Sequence, residues 1–180
     1  MIIREITKIR ITLLSMALVI AALSFSACSK ERLPEKIYVG KDFSAEICWH
    51  VEDSEYRARL EVRYHEDREN DCNILLEMTS PQRLRGIRIE KQNGEALIKV
   101  GDMTAELHNQ AILNAAELLL SNGNFSYKAR AELAGRAVIV AERVNGGERA
   151  EVYIDAESGA PVCVICGERR VDVVWFEYID

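Results

Sequence analysis

The chain has 180 residues, enough for one domain with a sizeable hydrophobic core. Its 29 acidic residues outnumber the 23 basic ones, for a net charge of −6. That balance repels phosphate backbones and leaves no basic stripe, which excludes nucleic-acid binding.

In chain order the first element is a targeting segment, which is set aside before any reasoning about fold. Arg4, Lys8 and Arg10 form a positive n-region, and Ile11–Leu23 is an apolar run of 13 residues. Ser24-Phe25-Ser26-Ala27-Cys28 follows, with small residues at 26 and 27 that suit a signal peptidase. With cysteine directly after them the segment resembles a bacterial lipobox, carrying Phe25 where leucine is usual. The resemblance implies a lipoprotein signal peptide over 1–27 and a diacylglyceryl group in thioether linkage on Cys28. Two acyl chains anchor stably where one does not. It further implies an exported protein held by lipid at the outer face of the cell membrane or another envelope membrane. The alternative is an uncleaved signal anchor, since Ile11–Ser29 is 19 uncharged residues, near a spanning length. Loss of residues 1–27 leaves 20 basic against 28 acidic residues, a net charge of −8.

Ser29–Lys41 is polar, contains Pro34 and reads as part of a lipidated tether over 28–41. From Phe43 the period is two: Phe43, Ala45, Ile47, Trp49 and Val51 alternate with Ser44, Glu46, Cys48 and His50. A second run sets Tyr56, Ala58, Leu60, Val62 and Tyr64 against Arg57, Arg59, Glu61 and Arg63. Asp67–Asp71 makes a turn, and Ile74, Leu76 and Met78 form a third strand ended by Ser80-Pro81. Three such strands in succession predict an antiparallel meander with one wet face. Gly86–Lys91 and Ala96–Val100 flank Asn93-Gly94, the favoured two-residue hairpin signal, and Met103-Ala105-Leu107 follows.

The period then changes. Gln110–Ser121 places Ile112, Ala115, Ala116 and Leu119 at helical spacing, with Asn109 as N-cap and Asn122-Gly123 as stop. Leu113, Leu118 and Leu120 widen its apolar face, so this helix needs cover on most sides. Strands return over Phe125–Ala131, Val138–Val144, Glu151–Asp155, Val162–Cys166 and Val171–Ile179. About ten strands and one internal helix, with no βαβ rhythm, predict a mainly antiparallel β fold. An open, strongly curved half-barrel holding the helix in its concavity buries both apolar surfaces. The predicted inward face comprises Phe43, Ile47, Trp49, Tyr56, Leu60, Val62, Ile74 and Leu76 with Ile112, Ala116 and Leu119.

This order resembles the LolA/LolB-like fold of bacterial lipoprotein carriers over most of residues 42–180. The features that carry it are Phe43-Ser44-Ala45, then Tyr56 and Leu60, then Ser80-Pro81 with Leu84 and Gly86. The closing Ile154-Asp155, Gly159-Ala160-Pro161 and Val174-Trp175-Phe176-Glu177-Tyr178 complete them. Soluble carriers begin with a helix and carry no lipid, whereas this chain runs from a lipobox into strands. In that it is most similar to the small germination lipoproteins (GerS-type) of Gram-positive spore formers, in which the domain acts by binding a protein partner.

Few residues suggest chemistry. Cys163-Val164-Ile165-Cys166 leads into a strand, not a helix whose N-terminus would activate a thiol. Residues three apart in a strand point to opposite faces, too far to bridge. Cys48 and Cys72 lack the spacing of a zinc knuckle and belong to the first and third strands. Packed free thiols and a disulfide from Cys48 or Cys72 to Cys163 or Cys166 are the competing readings in an exported protein. His50, His65 and His108 lie in polar or acidic surroundings, and no nucleophile elbow, zinc helix or phosphate loop is present. The expectation is therefore a non-catalytic, lipid-anchored domain without metal or other cofactor. It acts through a protein partner in cell-envelope or spore processes, with the outer face of the second strand (Arg57, Arg59, Arg63) as a candidate contact surface. The alternative is a carrier of acyl lipid or lipoprotein, held between the sheet and its helix.

Overall fold

The computed structural model describes residues 32–34, 37–65, 72–107, 113–120, 123–145 and 147–179. Cys28, the signal peptide, the turn at Asp67–Asp71, His108, the cap residue Asn109 and Ile112 lie outside the described residues. One packed unit spans Leu33–Asp180.

Eleven strands form a single antiparallel sheet. They are β1 (Phe43–Val51), β2 (Ser54–Tyr64), β3 (Cys72–Ser80), β4 (Arg88–Gln92), β5 (Glu95–Val100) and β6 (Met103–Glu106). After the helix α1 (Leu113–Leu120) come β7 (Asn124–Leu133), β8 (Arg136–Asn145), β9 (Glu148–Asp155), β10 (Pro161–Cys166) and β11 (Arg169–Tyr178). The sheet order is β6-β5-β4-β3-β2-β1-β11-β10-β9-β8-β7. The chain thus starts mid-sheet, meanders to one edge, crosses as the helix, and meanders back from the other edge to pair β11 with β1. The sheet is open and curved around its helix, as the periodicities predict.

Alternation decides which face is buried. Ala45, Leu60, Leu76 and Ile89 lie opposite one another on four neighbouring strands, and all four are fully buried. Each large apolar side chain withdrawn in this way contributes about 1.5–3 kcal/mol. Every predicted inward residue that is described faces this core; Tyr56 is half-buried and stacks on Trp49 with ring centroids 5.7 Å apart. Asn93 and Gly94 both have positive φ, the backbone that a two-residue hairpin with the right strand twist requires. The fourth strand begins at Arg88, later than the Gly86 predicted. A 3-10 turn over Gln82–Leu84 and the left-handed Gly86 occupy the intervening residues, and Gly86 N–H donates to Met78 O.

Helix α1 buries six of its eight residues. Its two others, Asn114 and Glu117, are three apart and so share one outward stripe. Lys91 Nζ donates to Glu117 Oε1 there at 2.6 Å. The packed unit begins earlier than the Asp42 boundary read from the sequence. Leu33, Ile37 and Val39 pack against the core, and Tyr38 is fully buried with its ring edge-on to Phe43 at 6.2 Å. Residues 33–34 and 37–41 are therefore a strap on the domain; their apolar residues are too few and too irregular to show a period.

Candidate functional site

The helix end in the concavity is built from residues far apart in sequence. A helix leaves its last carbonyls without intrahelical donors, and burying them unpaired is costly. Arg143, on the inner face of β8, donates from Nη2 to Leu118 O at 2.6 Å and from Nη1 to Leu119 O at 3.3 Å. Tyr38 Oη donates to Leu119 O at 2.9 Å. Arg143 is the only charged side chain buried among the described residues, and its cation meets the negative end of the helix dipole. Gly123 makes room for it: a Cβ there would lie 2.9 Å from Arg143 Cγ and 2.6 Å from Val144 O. Sequence reasoning missed this cluster, because apolar Val138 and Val140 hide the alternation of Ile139, Ala141 and Arg143 on the inner face.

Burial pushes the Tyr38 phenol far above its usual range, while the neighbouring Arg143 pulls in the opposite direction. A folded-state pKa above the unfolded one means that neutral Tyr38 stabilises the fold fully below about pH 10. That contribution fades as the pH rises further. The melting temperature, followed by circular dichroism, therefore falls above about pH 10. Tyr38→Phe lowers stability at neutral pH by about 1 kcal/mol and shallows the alkaline fall. An alkaline slope identical in the variant and the parent would assign that fall to other groups.

Elsewhere the described residues of the concavity pack closely. Tyr38, Phe43, Leu60, Leu113 and Leu119 are each fully buried between sheet, strap and helix. A hollow of about 230 Å³ remains at one end of the seam between α1 and the sheet. Trp49, Val51, Ala115 and Leu118 form its apolar walls, and Arg169 and Arg170 stand at its rim.

Cys48, Cys72, Cys163 and Cys166 form no disulfide among the described residues. Cys48 and Cys163 lie on the outer face in one row, each opposite Asp172. They are therefore two strand spacings apart, about 10 Å, beyond bridging distance. Cys166 faces inward, where its Sγ donates to Arg149 O at 3.3 Å, and Cys72 pairs with Tyr64 at the start of β3. Burial raises the Cys48 thiol above its ordinary range and pushes Cys163 up to about 12, with Asp172 adding to the shift at Cys163. Both are held as protonated, unreactive thiols at neutral pH.

On the outer face of β2 the three arginines are matched by carboxylates. Arg57 Nε lies 2.8 Å from Glu55 Oε1, and Arg63 reaches Glu61 at 3.2 Å and Asp42 at 3.5 Å. Arg59 sits in register between Glu46 and Glu77, and Glu77 pairs onward with Arg88. The face is a charge ladder in which each sign answers its neighbour, not a basic patch. His50 lies 3.7 Å from Glu55 on the surface, and His65 contacts Asn73 at 3.2 Å. Among the described residues no three His, Cys, Asp or Glu side chains are placed to hold a metal ion.

No protein-family profile matches the sequence, and no curated protein matches it. Solved structures do. An uncharacterized conserved protein from Thermus thermophilus matches with a TM-score of 0.52 and 14% identity, covering 78% of this chain and 80% of that one. The MucB of a Pseudomonas aeruginosa MucA/MucB complex matches with a TM-score of 0.47 and 14% identity, over 77% of this chain and 52% of that one. A LolA superfamily protein from Nitrosomonas europaea matches with a TM-score of 0.43 and 11% identity, over 80% and 89%. The chain spans about half the length of the MucB chains it matches. At these identities the likeness is one of fold, and the Thermus match carries it over most of both chains.

Proposed function

We propose that the mature protein is a lipid-anchored, non-catalytic binding domain of LolA/LolB-like type, acting through a protein partner outside the cytoplasm. The reading extends to cell-envelope or spore processes by the resemblance to germination lipoproteins. The observation that supports partner binding over lipid carriage is the close packing in the concavity. Strap, helix and sheet bury Tyr38, Phe43, Leu113 and Leu119 completely, and Tyr38 and Arg143 lock the helix end. A carrier is the second reading, favoured by the apolar hollow at Trp49, Val51 and Leu118, which would have to widen by movement of the helix.

The anchor is tested first. Mass spectrometry of the membrane fraction finds Cys28 as an acylated N-terminus, and Cys28→Ala releases the protein from the membrane. An intact precursor still carrying residues 1–27 would refute lipid anchoring. The binding role is tested by crosslinking on intact membranes, with Arg57, Arg59 and Arg63 changed together to glutamate. One reproducible protein adduct, lost in the variant, supports partner binding through the ladder face. Stoichiometric acyl lipid extracted from the purified protein, with no adduct, decides for the carrier.

A further inference from the structure

We infer that the hollow beside Trp175 and Arg136 on the outer face is a membrane-contact site that seats a zwitterionic phospholipid headgroup and lays the domain on the bilayer. The inference rests on the lipid anchor proposed at Cys28. Covalent geometry supplies its first support. The packed unit begins at Leu33, five residues after Cys28, so an anchored Cys28 lies at most about 17 Å from it. An anchor that short holds the domain against the membrane instead of letting it range above, so some face must meet lipid.

The second support is where the exposed aromatic residues lie. Trp175 is 47% exposed, Val174 50% and Tyr178 37%, all on β11. The register between β1 and β11 shifts at Glu46/Ile47, which leaves Val174 as an extra residue in the ladder. Such a bulge re-aims side chains, and here it leaves a valine and a tryptophan in solvent on neighbouring positions. Trp175 lies opposite Glu46 and so shares the outer face. The strap enters the sheet at the same end: Lys41 Nζ stands 5.2 Å from the Tyr178 ring centroid, and Ile179 N–H donates to Asp42 O. Tryptophan, tyrosine and lysine together are the composition that proteins place at a membrane–water interface.

The third support is the hollow itself, about 220 Å³, lined by Arg136, Asp155, Ser158, Pro161, Val174 and Trp175 among others. Arg136 makes no close ion pair among the described residues; it acts on the Asp155 carboxylate of the same hollow from beyond ion-pair distance. Its guanidinium keeps donors for a phosphate oxygen, a planar donor set on the anion it suits. Asp155 Oδ1 accepts from Glu157 N–H, Ser158 N–H and Ser158 Oγ, which fixes the turn at the edge of the hollow. Glu46 opposite Trp175 and Glu177 two residues on would repel an anionic bilayer, so the site suits phosphatidylcholine or phosphatidylethanolamine.

The chain has two tryptophans, and Trp49 is buried, so quenching by lipid reports Trp175 by difference. Full-length lipidated protein is reconstituted in phosphatidylcholine vesicles with and without bromines on the upper acyl carbons. Brominated lipid lowers the emission assigned to Trp175 by about twofold, as for an interfacial tryptophan. Trp175→Phe abolishes the difference, and Arg136→Gln weakens it while the protein stays membrane-bound through Cys28. Equal emission in both vesicles, with acrylamide still reaching Trp175, overturns the inference. So does shielding that appears only when other membrane proteins are present, because a protein then covers the patch. Failure of the anchor itself shows separately, as an unacylated Cys28 in the mass spectrum and protein that leaves the vesicles.

Discussion

Leu60→Ala lowers the free energy of unfolding by about 2–5 kcal/mol, and Ile47→Ala does the same, measured by urea denaturation of the mature domain. Both side chains are fully buried, and Leu60 lies in the row Ala45–Leu60–Leu76–Ile89 that runs across four strands. The helix and strap cover the concave side, so neither solvent nor a neighbouring loop can fill the space that a truncation leaves. Arg59→Ala, one residue from Leu60 on the exposed face, changes stability by no more than about 0.5 kcal/mol. The contrast between adjacent residues is the informative quantity. A strand shifted by one position exchanges its faces, so similar losses at Leu60 and Arg59 would disprove the register of β2.

Strands with one wet face were legible because polar and apolar residues largely alternate in them. In β2 each of Ala58, Leu60 and Val62 is flanked by Arg57, Arg59, Glu61 or Arg63, and the period alone identifies the core face. The helix was legible because leucines and alanines at helical spacing lie between two turn signals. Where both faces are apolar the signal disappears. In β8, Val138, Ile139, Val140 and Ala141 are all buried, so the sequence has no period there and the inward aim of Arg143 went unread. Tyr38 was lost for a different reason: it lies in a segment without secondary structure, and only the helix end 81 residues away explains its burial. Cys48 and Cys163 occupy outer-face positions by alternation, yet both are buried. Local sequence reports which way a residue points on its own strand, not what its neighbours cover.

The same distinction holds for the candidate sites. Arg57, Arg59 and Arg63 stood out as a row of positive charge along one strand. The carboxylates that answer them come partly from β1 and β3, which pairing brings alongside. Arg136 stood out in no way, because a single arginine after Gly135 is ordinary in a hairpin. What distinguishes it is its place in one hollow with an exposed tryptophan 39 positions later in the sequence. Sites made by juxtaposition across an open sheet are visible only after the register is known.

Arg143→Met lowers stability by about 2–4 kcal/mol, because it keeps most of the packed volume and removes both charge-assisted bonds to the helix end. Leu118 O then loses the donor at 2.6 Å, while Leu119 O retains Tyr38. Hydrogen exchange localises the loss: amides of Leu113–Leu120 exchange faster in the variant, whereas those of β2 and β3 follow only the global change. Tyr38→Phe combined with Arg143→Met costs more than the two single changes together, since Leu119 O then has neither partner. The opposite result is physically permitted and equally informative. A guanidinium 2% exposed, with no carboxylate beside it among the described residues, has given up most of its hydration. If that penalty exceeds the worth of its bonds, Arg143→Met raises stability, as replacements of buried ionic groups by apolar ones sometimes do. The sign decides what the residue is for. A destabilised variant makes Arg143 a structural cap that closes the concavity. A stabilised one means that stability was given up for a helix end that can be released, as lipid carriage through the seam would require.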